Sequence, residues 1–205
     1  MLLIWGWKVR FKALGQGVFF CPSCGGDRNY TQQQGRRWFT LFFIPIIPLG
    51  YVGEEFIECA TCRQAYKPSV LSMPTSASLG DDLLAATREA LVWLLRQSQP
   101  GPGAVAAALQ QLSVAANRPW SEPELQADMT ALDLSGLQQR LAGLATVLNE
   151  QGKERLLAGC ASVAAADGPI DEARRGTLDF IAGSLGMTQA HAYGVISQVT
   201  LRAGL

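Results

Sequence analysis

Four of the five cysteines stand as two pairs, Cys21-Pro-Ser-Cys24 and Cys59-Ala-Thr-Cys62, and no other feature limits the fold so strongly. Two residues between thiols let both sulfurs reach one tetrahedral ion, with turn amides supporting them. Gly25 can take the positive φ that such a knuckle favours. Arg63 stands at the matching place after the second pair, so that knuckle forms without a glycine. The 34 residues between the pairs exceed the ~15–20 of the commonest zinc pattern, a difference that a longer hairpin absorbs.

Two other uses of paired cysteines compete. A redox CxxC usually opens a helix in a βαβ setting, which is missing from this region. Disulfides need an oxidising compartment. "MLLIWGW" carries its basic residues after its apolar run, the reverse of a secretory signal, and no run approaches the ~20 apolar residues of a spanning helix. A cytoplasmic location is expected. One structural zinc per chain, held by Cys21, Cys24, Cys59 and Cys62, is the expected cofactor. Four thiolates close its sphere and leave no position for a reactive water.

Around the knuckles, "GVFF" (17–20), "RRWFTLFF" (36–43), "YVGEEFIE" (51–58) and "QAYK" (64–67) read as strands bounded by turn residues. Pro45 and Pro48 each remove a ladder donor, which predicts that 44–49 leaves the sheet in an extended, edge-like path. So thin a module cannot bury Leu2, Leu3, Ile4, Trp5 and Trp7 together with Phe42, Phe43, Ile44, Ile46, Ile47 and Leu49. The surplus predicts an exposed apolar patch in which Trp5, Trp7, Phe43, Ile44, Ile46 and Ile47 are the candidate interaction residues.

Composition changes near residue 70. A Ser/Pro/Thr-rich stretch reads as a linker over 71–78, and an Ala/Leu/Gln-rich half with helical spacing follows over 79–205. Helices are predicted from Asp81 or Asp82 to about Gln97, over 104–116, after the Ser121–Glu124 capping box, and after Ser135. Further helices are predicted over 153–166, over 171–185, and from Thr188 to about Arg202. "SVAANRPWSEPE" (113–124) and "SVAAADGPIDEA" (162–173) echo one another, either by chance in an Ala-rich chain or as one helix–turn–helix unit used twice. Cys160 lies on an apolar helix and reads as a small core residue. His191 reads as a packed or exposed side chain. The expected architecture is a small β zinc ribbon over 1–70, followed by an all-α helical bundle.

The turn "ADGPIDEA" gathers Asp167, Asp171 and Glu172, three carboxylates in six residues. They form a candidate cation or basic-partner site. The simpler alternative is a glycine turn with Asp171 as N-cap and Glu172 favouring the positive helix end.

Two resemblances bear on this arrangement. "FFCPSCGG", "RRWFTLFFIPIIPLG" and "CATC" resemble a family of small bacterial zinc-ribbon domains over roughly 1–68. That likeness implies a zinc ribbon and no particular activity. The stretch 153–190, and more broadly 79–205, is similar to the TerB-like helical domains of tellurite-resistance and related stress proteins. That family commonly carries a Glu seven residues after the Asp, where this chain has Arg174. The likeness implies a helical scaffold in metal or envelope stress rather than an enzyme.

Charge separates the remaining function classes. Residues 1–70 hold eight Lys/Arg against four Asp/Glu, and 71–205 hold nine against thirteen. A tetrathiolate zinc site adds a net −2, which leaves the first half only weakly basic. Nucleic-acid binding through Arg28, Tyr30, Arg36, Arg37 and Trp38 is therefore the alternative reading. The preferred one is a non-enzymatic scaffold with a protein partner or self-association. A membrane surface is its second choice, with the protein peripheral to the inner face, and no small-molecule substrate is evident.

Overall fold

The computed structural model describes residues 5–97 and 99–204, so Leu2, Leu3 and Ile4 lie outside the described residues. The chain divides into two compact units, Met1–Leu79 and Gly80–Leu205.

The first unit is a four-stranded antiparallel meander: β1 Trp5–Cys21, β2 Gly26–Leu41, β3 Ile44–Cys59 and β4 Ala65–Tyr66, in that spatial order. Three of the strands are far longer than their apolar segments predict. β1 alternates Trp7, Val9 and Phe11 with Lys8, Arg10 and Lys12, a period of two that makes one apolar and one basic face. The polar run opening β2 joins the sheet through its glutamines. Gln32 donates to Glu55 at 2.6 Å, Gln33 to Glu58 at 2.8 Å and Gln34 to the Gly53 carbonyl at 3.2 Å.

The expected exit of 44–49 from the sheet does not occur. Ile44, Pro45, Ile47 and Pro48 pair with Leu41, Thr40, Phe39 and Trp38. Register shifts flank the prolines, where β2 advances one residue from Phe39 to Thr40 while β3 advances two. Among the described residues β4 pairs only with Ile57 and Glu58, so the outer edge of β3 over 44–56 is open. A proline tolerates such an edge because its missing donor need not belong to the ladder.

The unit's small core sits at one end. Phe19, Cys21, Ile57 and Cys59 are buried there, with Cys24, Tyr30, Tyr66, Val70 and Leu71 packed around them. Val70 and Leu71 lie on a 3-10 turn over Pro68–Ser72, so the start of the stretch read as linker lies against this core. The Asp27 carboxylate accepts from the Ser76 amide at 2.9 and 3.0 Å.

Among the described residues seven α-helices follow: α1 Ser76–Arg96, α2 Pro102–Ala116, α3 Glu122–Ala131, α4 Leu137–Val147, α5 Glu150–Ala165, α6 Glu172–Ser184 and α7 Gln189–Arg202. α1 begins five residues before Asp81. α5 is central and packs against α2, α6 and α7. Its Leu156, Leu157, Cys160, Ala161 and Val163 are buried in the apolar second half of the helix, which follows a charged first half. Arg88 of α1 makes a two-pronged pair with Asp128 of α3, and Arg140 of α4 reaches Glu89 of α1 at 3.2 Å. These pairs set a cation beside each of the two buried carboxylates of the bundle.

Candidate metal centre

Two hairpin ends bring the four thiols together. In the first knuckle Gly25 has φ 65°, and its amide donates to the Cys21 carbonyl at 2.9 Å. In the second, Arg63 adopts φ 61° and donates to the Cys59 carbonyl at 3.0 Å. The same left-handed turn is thus built once with glycine and once with a side chain that pays a steric cost for it. Ala60 N donates to Asn29 O at 2.9 Å, which ties the second knuckle to β2.

The ligand sulfurs of Cys21, Cys24, Cys59 and Cys62 all lie within 4.8 Å of one another, and Cys21 and Cys62 are 3.8 Å apart. A tetrahedral ion with metal–sulfur bonds near 2.3 Å sets its sulfurs about 3.8 Å apart. A disulfide would need about 2.05 Å. Among the described residues this is the group of three or more Cys, His, Asp or Glu whose ligand atoms are gathered closely enough to hold a metal ion.

The electrostatics of the cluster call for a cation. Burial opposes ionisation of Cys21. Hydrogen bonds from Tyr66, 3.4 Å from its sulfur, and from the Cys24 amide outweigh burial and draw the thiol down to about 6. Cys24 is pushed up to about 12 by burial and by the Cys21 sulfur beside it. Neighbouring thiols cannot all ionise without positive charge among them, and a metal ion would supply it. Tyr66 is held in place by its hydroxyl's contact with Ser23 Oγ at 2.6 Å. It supports the cluster from outside the ligand set, a role that the cysteine spacing alone does not reveal.

The candidate patch residues lie at the opposite end of the sheet. Trp5, Trp7, Phe43, Ile44, Ile46 and Ile47 are all exposed. Phe42 and Phe43 form the two-residue β2–β3 turn, with φ of 49° and 68°. Such turns favour Asn-Gly, because both central residues need positive φ.

The acidic turn is held by backbone partners. Asp167 accepts from Gly101 N at 2.7 Å and Ala104 N at 3.1 Å, so it caps α2 from a distant part of the chain. A Cβ on Gly101 or Gly103 would come within 2.7 or 2.6 Å of the Asp167 carboxylate. Asp171 caps α6 by accepting from Arg174 N at 2.8 Å. The buried Arg174 side chain lies 3.7 Å from Asp171 and donates to the Ala164 carbonyl at 3.1 Å. Glu172 is exposed in the first turn of α6.

Elsewhere in the bundle, Cys160 is buried, and burial pushes its thiol up to about 12, as suits an inert packing residue. His191 Nε2 lies 2.8 Å from Glu154 where α7 packs on α5, a pairing that their separation in sequence conceals. The echoed segments both form a helix, a turn and a capped helix. Their turns differ: the first uses Asn117 at φ 51° and the second Gly168 at φ 135°.

No family model, curated protein or solved structure matches the chain.

Proposed function

We propose that the first unit is a zinc ribbon whose single zinc, bound by Cys21, Cys24, Cys59 and Cys62, is structural, and that the protein is a non-enzymatic scaffold. The observation that carries this reading is the gathering of four thiols within 4.8 Å of one another at a small core whose other buried members, among the described residues, are Phe19 and Ile57. A full set of thiolate ligands leaves zinc no open position for substrate or water. The metal then supplies folding energy that so small a core does not. The helical unit, read as TerB-like, is the second part of the scaffold. The exposed apolar end of the sheet is the surface offered to a protein partner or a membrane.

Nucleic-acid binding is less well supported. Arg37 pairs with Val9 on the apolar face, whereas Arg36 and Trp38 lie on the other, so the expected basic-aromatic set is split between faces. Elemental analysis of purified protein tests the metal, with one zinc per chain expected. Capture from separate soluble and membrane fractions tests the scaffold. A metal-free yet fully folded first unit would sink the reading.

A further inference from the structure

Strand register gives the far half of the first unit a definite order along its axis. Residues opposite one another across an antiparallel pair share a face. Trp5, Trp7, Val9 and Phe11 therefore share a face with Leu41, Phe39, Arg37 and Gly35, and next to them with Ile44 and Ile47. The rings agree with this, with Trp7 against Phe39 at 5.6 Å and Trp5 against Trp7 at 6.4 Å. Lys8, Arg10, Lys12, Arg36 and Trp38 occupy the opposite face. There Arg36 lies over the rings of Trp38 and Tyr51, and Lys12 reaches the Tyr51 hydroxyl at 3.5 Å.

Along the axis the layers run from Phe42–Phe43 at the tip, through Trp5 and Trp7, to the cations. At about 3.4 Å per residue, the first ~10 Å from the tip carries no charged side chain. Five cations follow, Lys8, Arg10, Lys12, Arg36 and Arg37, with no Asp or Glu over 5–13 or 34–52. Among the described residues none of the five forms an ion pair. Apolar tip, aromatic belt and cations are the layers of a bilayer interface read outward from the acyl chains.

We propose that this end of the sheet docks on anionic lipid bilayers. Phe42, Phe43 and Ile44 enter the headgroup–acyl boundary, Trp5 and Trp7 lie at the interface, Lys8 lies nearest the lipid phosphates, and Arg10, Lys12 and Arg36 add attraction to the anionic surface from further out. The proposal rests on the scaffold reading and chooses among its partners. Three features favour lipid over a second copy or an acidic protein. The charge-free depth matches the ~5–10 Å to which interfacial elements sink. Pro45 and Pro48 remove two amide donors from the open-edged strand, which lowers the cost of leaving water and blocks strand-to-strand pairing with another chain. Exposed Phe at both positive-φ positions of a tight turn is locally unfavourable, as expected of residues kept for what they touch.

The test is sedimentation of the zinc-loaded full chain with phosphatidylcholine vesicles, with and without phosphatidylglycerol, at low and raised salt. Zinc content and oligomeric state are measured in the same samples. Binding is expected only to the anionic vesicles and should weaken with salt. Lys8→Gln, Arg10→Gln and Lys12→Gln together should lower it on the order of tenfold, with most of the loss from Lys8. Phe42→Asn with Phe43→Gly installs the preferred turn and should preserve or improve folding while abolishing vesicle binding. Zinc-loaded wild-type protein that ignores anionic vesicles would overturn the proposal and leave the zinc scaffold standing. So would self-association, or nucleic-acid binding that anionic vesicles do not displace. Absence of zinc from folded wild type would instead overturn the scaffold.

Discussion

The two units are held together by different means. In the first, apolar burial among the described residues is confined to Phe19, Ile57 and two of the clustered cysteines, while most of its large apolar side chains face outward. In the second, every helix contributes buried side chains to one core, among them Leu91, Leu112, Leu125, Leu141, Leu157, Leu178 and Ile196. A long sheet with one populated end gains little from burial, which is why a structural ion is proposed for it; the helical bundle has buried side chains throughout. The difference teaches that exposed apolar surface in the first unit is not a packing failure. The cysteine cluster and the exposed apolar surface lie at opposite ends of one sheet.

The largest expected effect sets metal against core. Cys59→Ser, or removal of zinc by a chelator, should unfold the first unit while the helical unit keeps its structure, since structural zinc contributes on the order of 10 kcal/mol. Circular dichroism and amide exchange resolved along the chain read the two units separately. Cooperative loss of both would break the comparison.

The reciprocal change is smaller. Leu157→Ala removes a fully buried side chain from α5 and should cost the bundle about 2–5 kcal/mol, measured by urea unfolding, with zinc retained. Asp167→Ala should cost about 1–2 kcal/mol, because two amides at the start of α2 lose their acceptor. Asp167→Asn should cost less, and neither should change calcium or magnesium binding in a calorimetric titration.

Arg63→Gly should stabilise the first unit by about 1 kcal/mol through relief of its positive φ. The exposed pair with Glu58 at 3.2 Å offsets little of this. Retained zinc with a raised thermal midpoint is the expected result.

The smallest effect is one of pH. The Arg118 guanidinium, with help from Ser121, draws the Glu124 carboxyl from its ordinary 4.5 down to about 2. Its contribution to the bundle is present above the unfolded value and is lost as pH falls from about 4.5 through about 2. Glu124→Gln should flatten that part of the stability profile without altering the first unit.

The parts legible in the sequence were those encoded by near neighbours. Two residues between thiols predict a knuckle, and Ser121, Asp171 and Thr188 mark helix starts that the structure places within a residue. The alternation in Trp7–Lys12 also encodes a strand, but it was masked by the glycine and the oily residues before it. The polar opening of β2 was illegible for another reason, since Gln32 and Gln33 join the sheet through glutamates more than twenty positions away. Asp167 looked like a turn residue because its partners, Gly101 and Ala104, lie over sixty residues upstream. Pro45 and Pro48 argued for an exit from the sheet because the sequence does not show that β3 has an open edge.

The one-ended core of the first unit also sets a gradient of motion. Amides near Cys21 and Cys59 are clamped by buried side chains and by the knuckles, so they should open to solvent last. Toward Phe42 the described side chains of the strands are largely exposed, so each hydrogen bond there can break with little apolar packing disturbed. Deuterium should therefore enter the sheet from the Phe42 end inward, over times that shorten with distance from the cysteines. The far end can then reshape itself against whatever it meets while the cysteine end keeps its form.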